Sequence, residues 1–431
     1  MRIAIVGSGI SGLVAARQLS TDHEISLFEA GYTLGGHTHT VEVTVGGATH
    51  FVDTGFIVFN RRNYPRFDRL LRKLDVASQP SDMSFSVKDP ARDLEYNGNN
   101  LNTLFAQRSN LLRPSFHRML LDILRFHREA PQLLTGAEGD LTLGEFLGRG
   151  GYGSEFRHDF IVPMGAAIWS ASLRDIESMP AKFFIRFFRN HGLLNVTDRP
   201  LWRVITGGSF RYVQKLTASF ADRIHLSSPV QWIRRHPDGV TLGVRGQTLK
   251  FDRVVIATHS DQALRLLADA SAAEQMVLGA IPYRANEAVL HTDTSVLPKR
   301  RLAWAAWNYH LGADAEQPAA VTYYMNLLQS IPHTTPFCVT LNATSQIDPA
   351  KVLDRFIYHH PVYTAEAVAA QARVGEVSGV NRTHYCGAYW GNGFHEDGVV
   401  SGERAAREVA LATTGFPGSP GANSPGQSAA G

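Results

Sequence analysis

The apolar positions open on a near-continuous run, residues 1–6 (MRIAIV), the pattern of a strand buried on both faces. Gly7-Ser8-Gly9-Ile10-Ser11-Gly12 follows, after which Leu13, Val14, Ala16 and Leu19 recur at helical spacing. A second apolar run at 25–28 ends at Glu29. Strand, GxGxxG turn, helix, strand and acid stand in register, with about 20 residues between first glycine and acid, which predicts a Rossmann-type nucleotide site. Each part has a physical task. Gly7 permits the tight turn, Gly9 lets backbone N–H groups approach a pyrophosphate, and Gly12 lets the helix lie close on the strand. Ser11 sits in the first turn of a helix whose N-terminus carries partial positive charge. Glu29 can accept hydrogen bonds from a ribose diol.

Beyond Glu29, the stretch 31–40 (GYTLGGHTHT) carries the doublet Gly35-Gly36. It either brings backbone close to a second part of a long cofactor or forms a mobile loop. Alternation predicts short strands at 41–45 and 50–53, and 62–74 reads as an amphipathic helix with Leu70, Leu71 and Leu74 on one face. From 80 to 200 helices dominate, after a strand at 83–87. Pro114 opens one helix with Phe116, Met119, Leu120, Ile123 and Leu124 inward, and 143–147 starts another. Small residues surround Trp169 in 163–170, suiting close packing near a ligand or a helix crossing. In 181–194 (AKFFIRFFRNHGLL), Phe184, Phe187 and Phe188 lie beside Lys182, Arg186 and Arg189. This is either a helix resting at a lipid surface or a core-facing helix with a solvated charged side.

A Rossmann-like pattern returns at Ile205, with Gly207-Gly208 before a helix, then Pro229-Val230, then a buried-type strand at 253–258 (RVVIAT) that brings the chain back to the first sheet. Residues 280–375 read as strands at 288–290, 302–308, 321–327 and 337–341. Their aromatics, Trp304, Trp307, Tyr309, Tyr323 and Tyr324, fit the wall of an apolar pocket or an ordinary sheet core. A strand at 383–388, a Gly-rich turn at 389–398 (YWGNGFHEDG) and a helix at 398–411 complete the pattern; that helix can point its N-terminus at a cofactor.

Composition adds exclusions. A length of 431 residues suits two domains or one large discontinuous unit. A net charge of +3 with no polybasic block argues against nucleic acid. Cys338 and Cys386, with no C-x-x-C, indicate neither a disulfide framework nor a zinc site, and a reduced, cytoplasmic setting is expected. Cys386 is expected to be buried packing. The opening strand does not read as a signal peptide, and no apolar run is long enough to span a membrane. Residues 415–431, rich in Gly, Pro, Ser and Ala, are expected to be a disordered tail.

The order of these pieces resembles the flavin-containing amine oxidase superfamily, which uses FAD rather than NAD. Glu29-Ala30, Gly35-Gly36 and Asp53-x-Gly55 match its N-terminal block, and Gly207-Gly208 with Pro229-Val230 its middle block. Gly393-Phe394-His395-Glu396, running into Gly402-Glu403-Arg404-Ala405-Ala406, matches its C-terminal flavin-binding helix. The resemblance implies that the Val230 backbone meets adenine and that the peptide N–H near His395 meets the flavin carbonyl. Thr33 and His37 stand where the family has arginines around the glycine doublet, so His37 is placed by the flavin. Ala288 aligns with the family's lysine, Phe394 with its cage tyrosine, and Tyr389 or Trp390 with its usual acid. These departures point away from amine oxidation.

A closer resemblance rests on residues 84–87, 163–170, 305–308, 386–389 and 393–398. It is to the flavoprotein domain fused to plant cyclopropane fatty acid synthases and to that domain's stand-alone bacterial relatives. It implies desaturation or isomerisation of acyl chains in partnership with lipid methyltransferases or cyclopropane synthases.

The expected fold is therefore α/β and amine-oxidase-like. A discontinuous Rossmann-type FAD-binding domain (1–80, 205–275 and 376–414) is joined to an α+β substrate domain (81–204 and 276–375). The expected activity is FAD-dependent hydride abstraction from an apolar acyl-lipid substrate, in the cytoplasm or peripherally at the inner membrane face. His395, Glu396 and Tyr389 are the candidate proton acceptors. The FAD set is Gly7, Gly9, Ser11, Gly12, Glu29, Gly35, Gly36, His37, Gly55, Phe56, Val230, Phe394 and His395. Alternatives are an amine or protoporphyrinogen-type oxidase, and a non-catalytic flavoprotein partner of a lipid methyltransferase.

Overall fold

A computed structural model describes residues 1–136, 140–195, 198–312, 317–332 and 334–413; the expected tail at 415–431 lies outside them. The chain forms two compact units. The first comprises Met1–Gly36, Leu216–Ala280 and the described residues from Ala369 on; the second comprises His37–Lys215 and Ile281–Val368.

The first unit is built on a five-stranded parallel sheet in the order Ile224–His225, Glu24–Phe28, Arg2–Val6, Arg253–Ile256 and Thr383–Tyr385. Its central strand is apolar on both faces because both are covered; Ile3, Ala4 and Ile5 are fully buried. Helices Ile10–Leu19 and His395–Thr413 lie against each other at glycines. A Cβ at Gly402 would stand 2.4 Å from the Ser11 carbonyl oxygen. A three-stranded antiparallel sheet, Val230–His236, Gly239–Val244 and Gln247–Phe251, adds Ile233 and Leu242 to the core around Ala4, Val254 and Ile256.

The second unit carries a seven-stranded sheet in the order Val352–Pro361, Tyr283–His291, Cys338–Leu341, Ala320–Tyr324, Trp307–His310, Phe85–Asp89 and Leu94–Asn97. Strand register sorts its residues onto two unlike faces. One bears Ala288, Leu290, Leu341, Val339, Tyr323 and Trp307. The other holds a buried polar chain: Ser86 to Asn308 at 2.8 Å, His310 to Thr322 at 3.1 Å, Thr322 to Thr340 at 2.8 Å and Thr340 to His291 at 2.7 Å. Burial lowers the pKa of His291 to about 4, so it bonds as a neutral ring.

Several sequence-based expectations are revised. Packing places 37–80 and 205–215 in the second unit, and 276–280 and 369–375 in the first. The reason is strand pairing: Trp202–Ile205 pairs with Val58–Asn60 and Ser78–Pro80 rather than with the parallel sheet. The chain re-enters that sheet first at Ile224–His225, and the expected strand at 253–258 joins it as Arg253–Ile256. The expected strand at 302–308 is a 3-10 turn, Arg301–Ala303, followed by a strand beginning at Trp307. Val352–Pro361 was not anticipated, because this edge strand mixes charged and aromatic residues. Helix Ala181–Asn190 turns Phe183, Phe184, Phe187 and Phe188 into the core, each under 9% exposed, so its aromatic face is not at a lipid surface.

Candidate functional site

The first unit assembles a nucleotide cradle from four segments. Gly7 has φ +104° and donates its N–H to the Phe28 carbonyl at 2.9 Å, locking the turn to the second strand. A Cβ at Gly12 would stand 2.1 Å from the Gly7 carbonyl oxygen, so only glycine lets the helix approach. Gly9 is different. Its φ of −64° and ψ of 171° suit any residue, and no atom lies within 4 Å of where its Cβ would be. The open space above Gly9 is at the start of helix Ile10–Leu19, whose first turn, containing Ser11, holds no acid and no side-chain cap. That positive helix end is left for an anion.

Glu29 is held by Ser8, which donates its N–H at 2.9 Å and its hydroxyl at 2.6 Å, and by the Gly31 N–H at 2.7 Å. Three of about four acceptor positions are thereby filled, and the carboxylate keeps capacity for a diol. Ser8 was not anticipated as the orienting residue. Hydrogen bonds from Ser227 to Gly31 and from Ser228 to Glu29, both 2.8 Å, bring Val230 alongside. Gly35 and Gly36 have φ of +114° and +58°. Gly35 donates to the Ser8 carbonyl at 3.1 Å, and a Cβ at Gly36 would lie 3.2 Å from the Gly9 Cα. The doublet therefore packs on the GxGxxG turn and is not a loose loop.

The C-terminal segment supplies a second helix end. The helix begins at His395, earlier than expected. Tyr389 lies in a 3-10 turn whose carbonyl accepts from Gln371 Nε2 at 2.8 Å. The third helical residue, Asp397, reaches back to the N–H groups of Asn392 and Phe394 at 3.1 and 3.0 Å. A His followed by two acids at a helix start reads as a cap as readily as a catalyst, and Asp397 fills the capping role. Burial raises its pKa to about 7. Burial lowers the His395 imidazole to about 3, which keeps it neutral and a weak proton acceptor near pH 7. Glu396 follows it in the first turn.

The remaining expected residues belong to the second unit. Phe56 donates its N–H to the His37 carbonyl at 2.7 Å, and a Cβ at Gly55 would stand 2.1 Å from that same oxygen. The His37 ring lies 5.2 Å from Tyr358 and 5.3 Å from His360. Phe56 meets Phe67 edge-on at 5.3 Å. Asp53, fully buried, accepts from the Thr40 hydroxyl at 2.5 Å and from the Ser209 N–H and hydroxyl, both 2.8 Å, tying the Gly207-Gly208 turn to this segment.

Burial raises the Asp53 pKa to about 6 against the lowering effect of those bonds. Below that value the folded chain holds a proton that the unfolded chain releases near pH 4, so this group's stabilising contribution falls as pH rises from about 4 to about 6. Asp53→Asn is expected to flatten that part of the profile, giving a variant that gains on wild type as pH rises. Denaturant titrations across this window check it; a wild-type-minus-variant difference independent of pH would refute the assignment.

Residues 10–318 match the family model described as flavin containing amine oxidoreductase. The chain belongs to that family. Cyclohexylamine oxidase from Brevibacterium oxydans IH-35A has a similar structure, with a TM-score of 0.71 at 15% identity over 96% of this chain and 99% of that one. So does a CLA-producing fatty acid isomerase from P. acnes, with a TM-score of 0.67 at 14% identity over 96% and 99%. The flavin-dependent L-tryptophan oxidase RebO of Lentzea aerocolonigenes is 40% identical over 55 residues, 12% of this chain and 12% of that protein. The family makes this chain an FAD-dependent oxidoreductase. The cradle fits that cofactor: open space at Gly9, an uncapped positive helix end and the oriented Glu29 carboxylate meet the needs of a pyrophosphate and a ribose. No described helix is long and apolar enough to cross a membrane.

Proposed function

We propose that this flavoprotein abstracts hydride from an apolar acyl chain, giving desaturation or double-bond isomerisation. The observation that carries this reading is the sheet face around Ala288. The position that the family resemblance aligns with the amine-oxidase lysine is a fully buried alanine, with Leu290, Leu341 and Phe356 beside it in register and the buried Asn286 on its other side. With Tyr323 and Trp307 further along, this face offers dispersion contacts and excludes water, and it carries no lysine. The fatty acid isomerase fold and the resemblance to flavoproteins fused to cyclopropane fatty acid synthases support the same reading. When bound, FAD supplies the acceptor for the hydride. Desaturation also requires loss of a proton from the adjacent carbon. The neutral, weakly basic His395 suits hydrogen bonding, which leaves Glu396 as the proton acceptor in this proposal. A lipid methyltransferase is the partner that the resemblance points to.

Amine oxidation is the second reading, favoured by the family model and by the cyclohexylamine oxidase fold. Anaerobic visible spectra of the purified flavoprotein separate the two, combined with analysis of the lipid product. Bleaching by monounsaturated phospholipid, or a shifted double bond without bleaching, is expected. Bleaching by primary amines with an unchanged lipid would replace the proposal with amine oxidation.

A further inference from the structure

The segment 101–128 of the second unit exposes apolar surface that its own core does not use. Leu101, Leu111, Leu112, Leu121 and Leu124 are 75, 49, 88, 67 and 56% exposed. Scattered exposed leucines are ordinary on a protein surface; five within one short segment form a candidate patch. In helix Pro114–Glu129, Phe116, Met119 and Phe126 face inward. His117, Leu121, Leu124 and Arg128 recur at i, i+4, i+7 and i+11, which makes one outward stripe about 16 Å long. His117 Nε2 meets the Leu111 carbonyl at 2.9 Å, fastening the 3-10 turn Arg108–Leu112 to the head of that stripe. The Phe105 ring lies 6.1 Å from His117. Turn and helix, each with exposed leucines, are thereby held side by side.

Its charge is mainly basic, with Glu129 at its end and Glu155 near Arg118. Between 101 and 128 the chain carries five arginines and one acid, Asp122, which is buried, accepts from the Gly153 N–H at 2.8 Å and lies 3.5 Å from Arg125. Arg108, Arg118 and Arg128 are exposed among the leucines, with Arg128 also 3.0 Å from Glu129. We propose that this face docks on an anionic phospholipid membrane, its leucines entering the acyl boundary and its arginines lying at the head groups. Charge complementarity selects that occupant. Protein-binding hot spots favour tryptophan, tyrosine and arginine and are poor in leucine, whereas a leucine-rich face beside arginines is the pattern of an interfacial helix. The proposal does not depend on the substrate: an oxidase of any substrate class could dock this way.

Flotation with vesicles tests it, using the FAD-loaded full chain and phosphatidylcholine with or without about 30% phosphatidylglycerol. Wild type is expected to float with the anionic vesicles and to be released by high salt. Leu112→Ser/Leu121→Ser/Leu124→Ser and, separately, Arg108→Gln/Arg118→Gln/Arg128→Gln are each expected to lower binding at least about 10-fold. Both should keep wild-type flavin content and melting temperature, which shows that the loss is not unfolding. The proposal is overturned if wild type stays in solution with both vesicles or if both variants float equally well. It is also overturned if light scattering shows self-association that the leucine variant abolishes. Vesicle binding is read without turnover, so its failure is distinct from failure of the acyl-chain reading.

Discussion

Gly9→Val is expected to fold as wild type does and to lose FAD. Valine there meets no atom of the chain within 4 Å of its Cβ, and the backbone angles are ordinary for any residue. The side chain would instead fill the space over the helix N-terminus, where backbone must come close to a pyrophosphate. A loss of at least about 100-fold in affinity, equivalent to about 2.7 kcal/mol, is expected, with the apoprotein's denaturation midpoint within experimental scatter of wild type. Gly12→Val is the contrasting variant. Its Cβ would sit 2.1 Å from the Gly7 carbonyl oxygen and 3.0 Å from the Ala257 Cβ, a backbone collision that no rotamer relieves. That variant is expected to lose both fold stability and flavin. Flavin fluorescence titration and denaturant unfolding of the two proteins check the pair. Retention of FAD by Gly9→Val at wild-type affinity would show that the pyrophosphate does not lie over Gly9.

Arg235→Met is expected to destabilise the first unit by about 3–5 kcal/mol, the usual result of leaving a buried charge without its partner. Arg235 meets both oxygens of Glu274 at 2.7 and 2.9 Å, and both side chains are 3% exposed. Tyr385 donates its hydroxyl to the same carboxylate at 2.6 Å, so the network joins the antiparallel sheet, helix Ala272–Gly279 and the edge of the parallel sheet. Burial alone would raise the Glu274 pKa; the bonds from Arg235, Tyr385 and the Ser271 N–H outweigh it and hold the group at about 2. The folded form therefore favours the ionised carboxylate. Its contribution is present above the ordinary carboxylate range and is lost as pH falls through about 2. The double variant Arg235→Met/Glu274→Met is expected to recover much of the loss, because two apolar side chains of similar volume need no partner. Denaturant unfolding of the two variants measures this. Additive losses in the double variant would contradict the coupling.

The nucleotide half of the cradle was legible because its instructions are local. Residues 1–29 carry the strand period, the glycine spacing and the acid within one stretch, and the helix and strand that form there differ by at most about two residues from expectation. Gly35-Gly36 was recognisable as chemistry, but its placement against Gly9 depends on folding. Long-range pairings decided the rest. Gly207-Gly208 resembles the start of another nucleotide turn, yet the strand before it pairs with 58–60 and 78–80, and Asp53 captures Ser209 across 156 residues. Nothing near Ile205 encodes those partners. The same limit applies to 181–194. Its amphipathic period fits a lipid surface or a protein core equally, and Trp169, with its ring 4.7 Å from Phe187, settles which neighbour it has. Conversely, the exposed leucines of 101–124 read as inward in part, since Leu124 shares apolar periodicity with Phe116 and Ile123. By itself, then, the sequence determined the opening strand–turn–helix–strand unit, the cofactor class and the glycines that a nucleotide requires, because each is written within a few turns of backbone. Only the tertiary structure decided which strands share a sheet, which carboxylates are buried and which apolar faces remain outside, because those properties belong to residues brought together from distant parts of the chain.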